Sequence, residues 1–188
     1  CSAGPAFEGG DISCGMRATD GAIEACSIDA KTMEPTFSVI GKEGQKPVGL
    51  CGSGIIDVIA ELFRCGIISP KGKFVREGDR VRHDHYGIGS YVLAFKEDAA
   101  GHKDVEINEV DIDNFIRAKG AIFSAICTML RSLDFDVSMI ENVYVAGGIG
   151  SGINMRNAVT IGMFPDVEID KFHYIGNSSL TGAYNMTL

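Results

Sequence analysis

The sequence is short of the residue patterns that mark the common metal, nucleic-acid and membrane chemistries. None of its six cysteines (Cys1, Cys14, Cys26, Cys51, Cys65, Cys127) forms a C-x-x-C pair or has a histidine in ligand register. Spacings of 13, 12, 25, 14 and 62 residues are not those of zinc or iron–sulfur sites, so no metal ligand set is read from the chain. Basic residues number 17 against 25 acidic ones, a net charge of −8, and no Lys/Arg cluster occurs. That argues against nucleic acid as a partner. Uncharged runs such as residues 120–130 and 142–155 fall short of the roughly 18 apolar residues of a membrane span, so no membrane partner is expected. Cys65 and Cys127 sit inside apolar periodic stretches, where free cysteine behaves as a small buried hydrophobe, and a reducing cytoplasm is the expected compartment. The chain opens at Cys1 with neither an initiator Met nor a signal-peptide pattern, and is expected to be a piece of something longer.

What is present is a folded composition. With 188 residues, 45% of them hydrophobic, the chain can bury one core, and a single unit over 1–188 is expected. Its organising stretch is residues 142–152, NVYVAGGIGSG, a short apolar run that ends in four glycines. Val143 and Val145 are β-branched and Tyr144 is aromatic, which predicts a strand over 142–146. Gly147 and Gly148 then present bare backbone at the carboxyl end of a strand, where open α/β sheets bind ligands. Residues 171–175, a turn at Gly176 and Asn177, and a helix over 178–186 repeat the pattern of strand, turn and helix. Two neighbouring strands facing one cleft are expected.

The rest of the chain reads in order. Pro5 predicts a short helix reaching Met16, and residues 22–28 and 36–40 predict a hairpin-like pair of strands. Gly52, Ser53 and Gly54 form the entrance of a helix running to Cys65, with Ser53 available to cap its first amides and the glycines allowing an anionic group to approach. A strand-to-helix turn without a ligand is the alternative there. Cys51 imitates a nucleophile elbow, but the second glycine of that pattern is a serine and no histidine is near in sequence. Residues 69–108 turn polar and suggest a β-rich insertion, with strands at 74–75, 90–95 and 105–107. His83 and His85 would share a strand face, yet no third ligand accompanies them and exposed side chains are expected. Residues 109–134 carry an apolar stripe over about seven helical turns, capped by Asn108 and Asp111. Lys119 falls on that stripe, where it must reach water, meet a carboxylate or touch a ligand. Glu8, a carboxylate among glycines, is a candidate to hold a metal-bound water or activate a nucleophilic one, against a solvated or capping role.

No G-x-x-x-x-G-K-[ST] occurs, and Gly148-x-Gly150-x-Gly152 lacks the dinucleotide spacing. The remaining nucleotide solution is a Gly-Gly strand end against adenine or ribose, with the phosphates held elsewhere. Residues 143–148, VYVAGG, resemble the adenosine motif of the acetate and sugar kinase, Hsp70 and actin superfamily. Taken with CSAGPAFEGG (1–10), GMRATDGAI (15–23), GLCGSGIID (49–57), RAKGAI (117–122) and IGNSSLTGA (175–183), they resemble one branch, the ATP-dependent reductive activators of corrinoid proteins. The resemblance implies an α/β, RNase H-like second lobe with a mixed sheet and helices. It implies ATP and Mg2+ as cofactors, a corrinoid protein as partner, a homodimer as one assembly, and an iron–sulfur cluster in a domain outside this chain. It places Gly147, Gly148 and Ile149 against adenosine, Lys119 and Gly52 to Gly54 at the border of the nucleotide, and Glu8 on the phosphate side. A small-molecule kinase of the same superfamily, or a docking module without ATPase activity, are the alternatives.

Overall fold

The computed structural model describes residues 10–147 and 152–187. Its elements are β1 (Ala22–Ile28), β2 (Pro35–Val39), β3 (Gly49–Leu50), α1 (Gly52–Arg64), β4 (Val81–His83), β5 (Gly89–Ala94), β6 (Val105–Asn108), α2 (Glu109–Ser132), β7 (Val143–Val145), α3 (Met155–Thr160), β8 (Phe172–Tyr174) and α4 (Ser178–Thr187). Among the described residues no helix is long and apolar enough to cross a membrane.

Three small sheets share these strands. The first, in the order β2-β1-β3, is mixed, since β1 runs antiparallel to β2 and parallel to β3. The second, β4-β5-β6, is antiparallel and supplies the fully buried Tyr91, Leu93 and Ile107 to the same core. Tyr91 also donates its hydroxyl to the Met33 carbonyl, which stitches the insertion to the turn between β1 and β2. The third sheet is the parallel pair β7-β8.

Helix α1 is the centre of the core, buried on every face from Gly52 to Leu62. It lies so close to β1 that a Cβ on Gly54 would collide with the Ile23 carbonyl. Glycine is required there for approach, not for backbone conformation. Beyond Ile23 no strand among the described residues flanks β1 on that side, and α1 takes over its hydrogen bonds. Asp57 accepts from the Cys26 amide at 3.3 Å and Glu61 accepts from the Ile28 amide at 3.0 Å. Asp57 also accepts from the Asn157 side chain at 2.7 Å, which ties α3 to the same point. Glu61 in turn pairs with the solvent-facing Arg64.

Four sequence expectations change. The helix expected up to Met16 is absent over residues 10–16. There Leu50 donates to the Cys14 carbonyl and the Met16 amide donates to the Leu50 carbonyl, so extended pairing with β3 takes the backbone groups a helix would use. Residues 1–9 lie outside the described set. Residues 74–75 form only an isolated bridge between Phe74 and Ile68, and the strand of that region is β4. The cap of α1 is Cys51, with no side-chain hydrogen bond, and the Ser53 hydroxyl faces the Cys51 thiol instead. The capping box of α2 is present as expected, Asn108 accepting from the Val110 and Asp111 amides and Asp111 accepting from the Asn108 amide. The stripe of α2, however, is buried only in part: Ile112, Phe115 and Ile122 are covered, whereas Met129 and Leu133 are exposed.

Removing the Asp57 carboxylate leaves the Cys26 amide and the Asn157 amide group without their acceptor in a buried place. Asp57→Ala is therefore expected to cost about 2–4 kcal/mol in urea unfolding. Burial raises the Asp57 pKa above 3.8, against the opposing pull of the hydrogen bonds from Asn157 and Cys26. The native state thus keeps a proton that the unfolded chain has lost, so this group's contribution falls as pH rises from 3.8 through the raised value. The urea midpoint of Asp57→Asn is expected to lack that component of the pH dependence.

Candidate functional site

The site expected from the glycine-rich stretch is built on β7 and β8. The parallel register sets Val143 against Phe172, Tyr144 against His173 and Val145 against Tyr174. Past the strand ends the pairing continues irregularly: Ile175 donates its amide to the Val145 carbonyl at 3.0 Å, and Gly147 donates to the Gly176 carbonyl at 2.9 Å. The Tyr174 hydroxyl donates to the Gly147 carbonyl at 2.9 Å. Both polar groups of Gly147 are therefore engaged within the turn. Its φ of +106° demands glycine, and a Cβ placed on it would meet no described residue within 4 Å. The result is a fixed, side-chain-free piece of backbone. A Cβ on Gly176 would likewise meet no described residue, and the two turns stand side by side at the carboxyl ends of parallel strands. Gly148, Ile149 and Glu8 lie outside the described residues.

Lys119 is placed elsewhere. Its side chain lines a pocket of about 250 Å³ between α1, α2 and the end of α3, with Ile59, Phe63, Pro70, Ile116 and Gly162 among its neighbours. Burial lowers its pKa below 10.5, and no carboxylate or hydrogen-bond acceptor partners it among the described residues. Of the three fates open to a lysine on this stripe, an ion pair with a described carboxylate is thus excluded. Gly147 is not among the described residues that line this pocket.

Gly52, Ser53 and Gly54 are buried at the start of α1, whose first amides no side chain caps. His83 ends β4 and His85 follows it in the turn, both exposed, and no group of three metal-ligating side chains lies together among the described residues. Cys51 is buried beside Ser53, and no histidine lies in hydrogen-bond contact with its thiol, so nothing equips it as a nucleophile. Cys26 is likewise unreactive in this setting, its thiol pushed up to about 12 by burial and the nearby Glu61 and Asp57 carboxylates.

Sequence reasoning missed two contributors. Tyr174, which locks Gly147, carried one signal, an aromatic residue at the end of the strand paired with β7. Asn157 carried none, because its partner Asp57 is a hundred residues away and the two meet only through tertiary packing.

The family model for the C-terminal domain of RACo, described as the ASKHA domain, matches residues 1–188. The chain belongs to that family. Among curated proteins it is similar to the corrinoid activation enzyme RamQ of Eubacterium limosum, 37% identical over 188 residues that cover 96% of this chain and 31% of RamQ. It is also similar to the [Co(II) methylated amine-specific corrinoid protein] reductase of Methanosarcina barkeri, 27% identical over 212 aligned residues, covering 100% of this chain and 34% of the reductase. A solved structure of a reductive activator for corrinoid, iron–sulfur protein superposes with a TM-score of 0.90 at 47% identity, over 99% of this chain and 30% of that one. The chain thus spans about a third of the length of these relatives. The α/β architecture with a mixed first sheet is that of an ASKHA domain.

Tyr174→Phe removes the donor that holds the Gly147 carbonyl. Amide exchange at Gly147 is expected to quicken by the equivalent of about 0.5–1.5 kcal/mol, with the global unfolding midpoint nearly unchanged. Lys119→Met keeps the apolar stem and removes a desolvated charge without a described partner. It is expected to match or exceed the parent in urea stability.

Proposed function

We propose that this ASKHA domain binds ATP, as its Mg2+ complex, within a reductive activator that returns the cobalt of a corrinoid protein from Co(II) to Co(I). The observation that carries this reading is Gly147: its amide and carbonyl are tied down by Gly176 and Tyr174, and no described residue occupies the place where a side chain would stand. Such a surface suits the flat face of an adenine or ribose, which needs close backbone approach and offers few groups to grip. In this reading Gly147, Gly148 and Ile149 form the adenosine wall. The uncapped first amides of α1, at Gly52, Ser53 and Gly54, suit an anionic group at the border of the nucleotide. The resemblance assigns Lys119 to the border of the nucleotide as well, although its pocket beside α3 is separate from the glycine turn, and it assigns Glu8 to the phosphate side.

The described side chains fit the nucleoside better than the metal, since they bring no three metal-ligating groups together. ATP supplies the driving force, and the chain's own residues hold and orient it. Reducing Co(II) to Co(I) adds one electron, which in this reading comes from an iron–sulfur centre in a part of the polypeptide outside residues 1–188. The names of the relatives support both the corrinoid partner and the direction of electron flow. The five described cysteines are unpaired, which suits a reducing, cytoplasmic setting.

The test is Gly147→Val in the intact activator. A β-branched side chain is strained at this φ and fills the space in front of the turn. ATP-dependent corrinoid reduction is expected to fall by about tenfold or more, equivalent to about 1.4 kcal/mol of lost nucleotide binding. Undiminished activity at limiting ATP would overturn the adenosine assignment.

A further inference from the structure

The pocket around Lys119 has the make-up of a small-molecule site: apolar walls and one charged group. Ile59, Phe63, Ile68, Ile112 and Ile116 supply the walls, and no aspartate, glutamate or arginine is among the lining residues. Two glycines shape it. A Cβ on Gly72 would stand 2.6 Å from the Ile112 Cγ2, so the loop after α1 is drawn tight against α2. A Cβ on Gly162 would stand 3.4 Å from the Lys119 Nζ, which places the ammonium beside the end of α3.

The backbone around the pocket is already satisfied. The Ser69 amide donates to the Lys73 carbonyl, Gly72 donates to the Ser69 carbonyl, and Gly162 donates to the Val159 carbonyl. The Thr160 hydroxyl donates to the Arg156 carbonyl. What is left without a partner is the cation, since Lys119 has no acceptor among the described residues. Burial holds its pKa below 10.5, so the charge is partly desolvated and nothing described offsets the cost. An amine that merely reached past the walls into water would keep its hydration.

We propose that this pocket binds a small organic monoanion, a carboxylate carried on a short apolar chain or ring, with the carboxylate on the Lys119 ammonium and the apolar body against Ile59, Phe63 and Ile116. The chemistry of the lining selects that class. A single ammonium is a point charge suited to one negative charge, whereas phosphate groups favour the forked donors of arginine or several unbonded amides. The pocket has no arginine, and its loop amides at Ser69, Gly72 and Gly162 are all bonded. Its volume of about 250 Å³ suits a body of a few carbons, below the roughly 300–1,000 Å³ of drug-sized sites. The proposal does not rest on the adenosine reading, because Gly147 does not line this pocket.

Equilibrium dialysis of the intact activator against radiolabelled hexanoate, first without nucleotide, tests it. Saturable binding at a single site is expected, with hexanol, which has the same chain and no charge, weaker by about tenfold or more. Lys119→Met keeps the apolar stem, so it is expected to weaken hexanoate by about tenfold or more and to leave hexanol within about twofold. Saturating ATP is expected to leave hexanoate bound. No saturable binding, hexanol as tight as hexanoate on the parent, or equal hexanoate binding by parent and variant would each overturn the site. Competitive displacement of hexanoate by ATP would overturn it in favour of the nucleotide.

Discussion

Helix α1 does for β1 what a neighbouring strand would otherwise do. After the short parallel pairing with β3 ends, the amides of Cys26 and Ile28 would be buried without acceptors, and the Asp57 and Glu61 carboxylates meet them from one face of the helix. Residues four apart on a helix lie one above the other, and alternate residues of a strand point to one edge, so the two periodicities meet at these positions. The match works only if helix and strand are close, which is why Gly54 has no room for a side chain. Because Asp57 also holds Asn157, the same contact places α3 and the segment that follows the glycine-rich turn. The position of that turn is therefore set partly by a carboxylate about ninety residues before it.

Helix α2 is the second long-range tie. At its start Asp111 accepts from the backbone and hydroxyl of Ser13, and Asn114 donates to the Asp11 carbonyl, pinning the segment just beyond residue 9. Midway, Lys119 lies in a pocket made by α1, α3 and the chain after α1. Its far end overhangs β7. One rigid helix thus spans the described start of the chain and the glycine turn, and its covering changes along its length. The first half is packed by the insertion and α1, whereas the second half lines an apolar groove over β7 and β8 and leaves Met129 and Leu133 exposed. An amphipathic stripe states which face seeks cover but not what covers it.

Much of this was legible in the amino-acid sequence, where the cause is local. β-Branched and aromatic residues marked β7. The Asn108 and Asp111 cap marked the start of α2, and Gly147 marked the turn that ends β7. These signals arise from backbone sterics and hydrogen bonds within a few residues, so neighbours in sequence carry them. The order of motifs from GLCGSGIID to IGNSSLTGA carried the family as well, and the comparisons bear that out over the whole chain.

What tertiary structure alone decided is where distant groups meet. A strand of two residues such as β3 has no periodicity to read, and over residues 10–16 its pairing with 14–16 stands where a helix was expected. The Ser53 hydroxyl turned from the helix end to Cys51 because burial on β1 left it that partner. The fate of Lys119 depended on which helices enclosed it, and that of Gly147 on a tyrosine hydroxyl from the neighbouring strand. The sequence by itself determined most of the elements and the family, since each follows from local conformation or ordered motifs. Only the fold decided which residues share a surface, because hydrogen bonds and apolar burial between distant segments are settled by packing.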